Sequence, residues 1–255
     1  MIPTVLCYHK VERRRELGVT RLSPRHFASQ VEALARDGWR GMSLDEFAAA
    51  VRGERVPHPR ELLFTFDDAY RGLREHAFPV LRDAGFHATC FVITEYAGRL
   101  NRWDVAYGGR RFAHLAWRDM ERWSGQGIAF ESHTATHPRL SWLDEPRMSD
   151  ELVRSRAALH AALGTIPTAV AYPFGAVNDV VVRAAARAGY SLGFGVGGHW
   201  RGDALRVPRA AVHCWSPRLP AVGALGGVER ALSTIAGRCS VGTSLWRGMT
   251  RAAPG

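Results

Sequence analysis

The chain has 255 residues, 46% of them apolar, which is enough for one large core, and it carries a formal net charge of +10. Lys10 is its only lysine; the rest of the positive charge is arginine spread along the chain, densest at Arg13, Arg14 and Arg15. That spread argues against nucleic acid as a partner, leaves peripheral contact with an anionic membrane or lipid-linked substrate open, and no apolar stretch approaches the ~18 residues of a transmembrane span.

In chain order, TVLCYH reads as a strand, HFASQVEALARDG as a helix, LLFTF as a strand and YRGLREHAFPVLRDAG as a helix. Next come the strand ATCFVIT, the helix AWRDMERWSGQG, the strand IAFES and the helix PRMSDELVRSRAALHAALG. The strand TAVAY, the helix NDVVVRAAARAG and the strands YSLGFGV and LRVPRAAV complete the series. Gly38, Gly85, Gly127, Gly164 and Gly189 follow helical segments, where a left-handed cap favours glycine. The alternation predicts parallel strands joined by helices. About seven strands without a dinucleotide-binding glycine fingerprint place the chain in the α/β class as a distorted (β/α)7 barrel.

One catalytic domain is expected over 1–216, with a partly irregular C-terminal extension over 217–255. The segment from Glu95 to Trp117, containing NRWDVAYGGRR, is long, aromatic and polar, as expected of an insertion that covers a substrate. Cys7, Cys90, Cys214 and Cys239 are widely spaced and form no CxxC pair, so they read as small buried apolar residues.

Residues able to do chemistry come immediately after the strand runs, where a parallel barrel presents its active-site rim. These are Tyr8, His9 and Lys10; Asp67 and Asp68; His133 to His137; and Tyr172 to Gly175. Two adjacent carboxylates after a buried strand repel one another unless a cation binds one of them. His133 and His137, four apart, can point both imidazoles one way, and two His with one carboxylate leave open positions on a catalytic metal. Singly each signal has a plainer reading: a His pair is usually structural, and the Asp pair suits a helix cap before AYRGLREHAF. Their convergence on one rim favours the metal.

TFDD at 65–68, HTATH at 133–137 and AYPFG at 171–175 together resemble the signature motifs of the polysaccharide deacetylases, the NodB-homology or carbohydrate esterase family 4 proteins, over about residues 2–213. The resemblance implies Asp67 as general base and Asp68, His133 and His137 as ligands of a divalent metal, zinc first, with Co2+, Ni2+ or Mn2+ as alternatives. The chain departs from the commonest pattern at Ala171, where many members carry an arginine that orients the base, and it lacks the LxIxH segment that supplies an acid. The opening PTVLCYHKV instead resembles the permuted poly-N-acetylglucosamine deacetylase subgroup, which makes His9 the candidate acid. Arg209, in VPRA, is the candidate partner of Asp67.

The implied reaction is removal of an N-acetyl group from an amino sugar in a glycan or glycoconjugate. Asp67 takes a proton from the attacking water, and His9 protonates the leaving nitrogen. The oxyanion rests on the metal and the Tyr172 N–H, and Thr134 fixes the orientation of the His ligands. Tyr172, Pro173 and Phe174 line the substrate site, and Trp103, Phe174 and Trp200 are candidates for stacking on a sugar ring. Two other readings stand beside this one: hydrolysis of another non-peptide C–N bond in a small amide, and a non-catalytic carbohydrate-binding relative. The start MIPTVLCYHKVERRR lacks the order of a secretory signal, so a cytoplasmic location is expected, or export if a signal lies upstream of this sequence.

Overall fold

In the computed structural model the described residues are 2–14, 19–102, 111–214 and 216. Seven parallel strands carry the architecture: β1 (Thr4–Tyr8), β5 (Glu61–Phe66), β6 (Ala88–Val92), β7 (Ile128–Ser132), β8 (Ala169–Ala171), β9 (Leu192–Phe194) and β10 (Ala210–Ala211). Their order is β10-β1-β5-β6-β7-β8-β9, with β4 (Arg40–Gly41) added beside β5. A separate parallel pair joins β2 (Lys10–Val11) to β3 (Arg21–Leu22).

The segment leading into β10 closes the ring. On one side, Phe194 bridges Val207 in parallel, and the Gly197 N–H donates to the Arg209 carbonyl at 2.8 Å. On the other, Leu6 and Cys7 of β1 pair with Ala210 and Ala211. This agrees with the expected (β/α)7 barrel.

Side-chain alternation divides each strand between two apolar layers. Leu6, Tyr8, Phe64, Phe66, Cys90 and Phe130 pack outward with Phe27 and Leu34 of α1 (Pro24–Arg36), Leu81 of α4 (Phe78–Asp83) and Trp123 of α5 (Trp117–Ser124). Val5, Leu63, Phe91, Ala171 and Phe194 form the second cluster with Leu44 and Phe47 of α2 (Leu44–Val51). The link from β4 to α2 sits at the N-terminal end of the strands, because Arg40 pairs with Glu61 at the start of β5. That leaves the C-terminal rim for chemistry. Against β8, α6 (Glu145–Leu163) and α7 (Asp179–Arg187) contribute Leu152, Val181 and Ala185. Truncating one of the buried phenylalanines, Phe64→Ala for example, costs about 3–5 kcal/mol by loss of burial and the cavity left behind.

One expected helix divides, and one helix appears that was not expected. The helix expected over YRGLREHAFPVLRDAG is two, α3 (Gly72–His76) and α4, broken at Ala77 with φ −113° and restarted with Pro79 in its first turn. Helix α2 carried no strong periodicity; a capping box fixes its start, with the Glu46 N–H donating to Ser43 Oγ and the Ser43 N–H to Glu46 Oε2.

Candidate active site

Strand β5 delivers Asp67 and Asp68 to the rim. The Asp67 N–H still donates to the Tyr8 carbonyl, continuing the ladder, but the chain then turns sharply, with Asp68 at φ 69° and Ala69 at φ 52°. The helix-cap reading of this pair does not hold: α3 starts at Gly72 behind Arg71, with no side-chain cap. Instead the turn is tied to a remote segment, where His114 Nδ1 lies 2.5 Å from the Asp68 carbonyl and the Leu115 N–H donates to the Ala69 carbonyl.

After β7, His133 and His137 meet with ring centroids 4.7 Å apart. Their Nε2 atoms lie 3.5 and 3.6 Å from Asp68 Oδ1. Two donors each about 2.1 Å from a tetrahedral centre stand about 3.4 Å apart, so the trio fits one divalent ion. His133 Nδ1 lies 2.7 Å from the Ala171 carbonyl, which can only accept, so Nδ1 carries the proton and Nε2 keeps its lone pair for a metal. Burial also lowers the His133 pKa, favouring the neutral ligand form.

The loop that carries the pair is braced from both ends. Thr134 Oγ1 accepts from the His137 N–H at 3.0 Å, and Ser132 Oγ accepts from the Thr134 N–H. From α6, Glu151 accepts from both the N–H and the hydroxyl of Thr136.

Asp67 faces a different partner. Arg209 Nη1 and Nη2 donate to its two oxygens at 2.7 and 2.8 Å, while Arg209 Nε donates to the Gly195 carbonyl and Nη1 also to Thr65 Oγ1. Burial alone would raise the Asp67 carboxyl; the Arg209 guanidinium, with His133 and His9, outweighs it and holds the group well below the usual carboxylate range. Asp67 is therefore ionised, 4.0 Å from His133 Nε2 and so beside the trio that fits a metal ion.

A second cluster adjoins it: one ligand atom each from Cys7, His9 and Asp67 lie within 4.8 Å of one another. Cys7 Sγ donates to Asp67 Oδ2 at 3.5 Å, so the thiol is a further brace on the carboxylate. Burial lowers His9 to about 4, against an upward pull from Asp67. His9 Nδ1 is buried, with no hydrogen-bond partner among the described residues.

This geometry matches what the comparisons find. The family model "Polysaccharide deacetylase" matches residues 54–193, more than half of the chain. The chain belongs to the polysaccharide deacetylase family. YxkH of Bacillus subtilis (strain 168) is 26% identical over 189 residues, 74% of this chain and 62% of YxkH, so the chain spans less than two thirds of that relative. A poly-beta-1,6-N-acetyl-D-glucosamine N-deacetylase of Staphylococcus epidermidis is 25% identical over 211 residues, covering 74% of this chain and 70% of the relative. Among solved structures, IcaB from Ammonifex degensii aligns with a TM-score of 0.73 at 26% identity, over 84% of this chain and 93% of IcaB. Streptococcus pyogenes PplD, with a TM-score of 0.74 at 24% identity over 85% of this chain and 95% of PplD, shares the fold.

In this member of the family the AYPFG segment is placed differently from the sequence reading. Tyr172 is fully buried, its hydroxyl donates to the Leu205 carbonyl, and its N–H donates to the Phe194 carbonyl. Neither group is available to substrate or oxyanion, because Tyr172 still belongs to the β8 ladder and its ring to the helix-covered core. Pro173 is buried as well and shapes the turn. Phe174 is half-buried at φ 62°, with its ring 4.8 Å from that of His137. The turn needs glycine at 175, since a Cβ there would lie 2.8 Å from Val196.

Trp200 is half-buried and packs on the cluster around Phe194 and Val207, while Trp103 and the 217–255 extension lie outside the described residues. Cys7 and Cys90 are buried and free as expected, whereas Cys214 is exposed. Among the described residues no helix is long and apolar enough to cross a membrane.

Two contributors had no signal in the sequence: His114 holds Asp68 and Glu151 holds the His loop, each an ordinary polar residue made relevant by a contact distant in the chain, while Thr65, the first residue of TFDD, supports Arg209. One pattern spans the site: the described non-glycine residues with positive φ are Asp68, Ala69, Thr134, His137 and Phe174, all on the three loops that form it.

Proposed function

We propose that this chain is a metal-dependent hydrolase that removes the N-acetyl group from an N-acetylated amino sugar in a glycan or glycoconjugate. The observation that carries the proposal is the division of labour between adjacent carboxylates. Asp67 is held ionised by Arg209, while Asp68 faces two neutral-ready imidazoles. The name of the Staphylococcus epidermidis relative supports an N-acetylglucosamine polymer as the substrate class.

Asp68, His133 and His137 would hold the metal, and two imidazoles with one carboxylate suit zinc. When bound, such an ion supplies Lewis acidity toward the amide carbonyl and lowers the pKa of water. Asp67 is the base that takes the proton from the attacking water, and Arg209 fixes the orientation of its oxygens. The proton that Asp67 gains is the one the departing nitrogen needs. His9, neutral at rest and with a ring nitrogen within 4.8 Å of Asp67, is assigned to carry it across. For the oxyanion, the N–H of Tyr172 is already used and Pro173 has none, so we assign the next backbone donor, that of Phe174.

The test is acetate release from N-acetylglucosamine oligomers, a UDP-linked N-acetyl sugar and a generic acetyl ester, with zinc added or chelated. Zinc-dependent release from a sugar, reduced about 10²–10⁴-fold in Asp67→Asn with metal content retained, is the expected result. Release that persists in Asp67→Asn would overturn the assignment of the base; no release from any sugar would overturn the substrate class.

A further inference from the structure

Five residues beyond the second metal-ligand histidine, Trp142 stands half out of the protein, 51% exposed, on the short turn Leu140–Trp142. The turn is not loose. Leu140 is fully buried in the cluster under α6 and α7, and the Trp142 and Leu143 N–H groups donate to the Arg139 and Leu140 carbonyls at 3.0 Å. A large aromatic carried on a fixed turn and half in water keeps apolar surface hydrated, which burial against a ligand would relieve.

What lies behind it gives the surface a direction. The Arg139 guanidinium sits 5.1 Å from the Trp142 ring and 5.1 Å from the Phe174 ring, and the Phe174 ring is 4.8 Å from His137. Trp142, Arg139, Phe174 and His137 thus form one continuous stack of contacts, edge-on where Phe174 meets His137, from solvent to the candidate metal site, with Val196 beside the Phe174 turn at Gly175.

We infer that this stack is an outer sugar subsite, which receives the C–H face of a sugar unit next to the one whose N-acetyl group lies at the metal. The inference rests on the deacetylase reading and deepens it: the substrate is an oligomer or polymer, and affinity grows with chain length. A flat indole offers apolar area with little rotamer freedom to lose.

The experiment compares kcat/KM on N-acetylglucosamine oligomers from dimer to pentamer for wild type, Trp142→Ala and Trp142→Phe, with zinc content measured for each. In parallel, calorimetric titration follows binding of de-N-acetylated oligomers of the same lengths, which needs no turnover. Wild type is expected to prefer the pentamer; Trp142→Ala should lower the pentamer-to-dimer ratio about three- to tenfold, and Trp142→Phe should restore most of it. A wild-type length preference that survives in Trp142→Ala would overturn the subsite, as would the absence of any preference in wild type. If no acetate is released from any oligomer, the deacetylase reading fails. The titration then decides alone: length-dependent binding lost in Trp142→Ala keeps the subsite, and binding indifferent to length or to Trp142 removes it.

Discussion

Arg209 grips both oxygens of Asp67 at 2.7 and 2.8 Å although 142 residues separate them along the chain. The pair is fully desolvated, so removing one partner strands a buried charge. Arg209→Ala is expected to destabilise the fold by about 3–5 kcal/mol. It should also lower kcat/KM on the order of 10²-fold through misorientation of the base.

The same substitution has a definite pH signature. With Arg209 present, Asp67 contributes stability above the unfolded carboxyl pKa, lost as pH falls through its depressed folded value. Without Arg209, burial dominates and raises that pKa, so the acid limb of kcat/KM should move to higher pH. An acid limb that stays in place in Arg209→Lys and Arg209→Ala alike would mean that Arg209 does not set the charge of Asp67.

His114 should set metal affinity without touching the metal. Its Nδ1 holds the Asp68 carbonyl, and its ring stacks on Tyr70 at 4.9 Å, so His114→Phe keeps the stack and removes the donor. Competition with a chelator should show affinity for zinc about 10–100-fold weaker. In wild type, zinc at about 1,000 times its Kd should raise Tm on the order of 10 °C, and less at the same zinc concentration in His114→Phe. Equal zinc-induced shifts in the two proteins would count against the role.

Glu131 predicts a slope of stability against pH. It is buried on β7, and its Oε2 accepts from the Thr168 and Ala169 N–H groups at 2.9 and 2.7 Å. Burial nonetheless outweighs these donors and pushes it up to about 8. The folded state therefore binds more protons than the unfolded state between roughly pH 4.3 and the folded value, and stability falls as pH rises through that window. Glu131→Gln keeps an acceptor for both N–H groups and should flatten the slope, so its Tm relative to wild type rises from pH 5 to pH 8.5. Parallel Tm curves would show that Glu131 does not titrate in this range.

The parts legible in the sequence were those written locally. TFDD and HTATH end apolar strands, and the β/α alternation fixes which rim they share. The Arg209–Asp67 pairing was also within reach, because a missing arginine at Ala171 left a buried base that needed a cation from some late strand. Tyr172 was misplaced since its neighbours in AYPFG belong to the rim; only its N–H bond to the Phe194 carbonyl shows that the ladder runs one residue past the end of β8. His114, Glu151 and Trp142 could not be read at all. Their relevance is set by contacts that a single sequence does not encode at fixed spacing.

The left-handed residues of the three rim loops bear on how this protein can be improved. Each non-glycine residue in that conformation costs about 1–2 kcal/mol, so the rim opposes folding and the packed barrel beneath it must hold it in place. Selection for heat resistance alone would therefore find some of its easiest gains at Ala69 or Thr134, by glycine, and would erode metal binding as it did so. Thermostable descendants that remain active should carry their gains in the helices and leave the rim as it is.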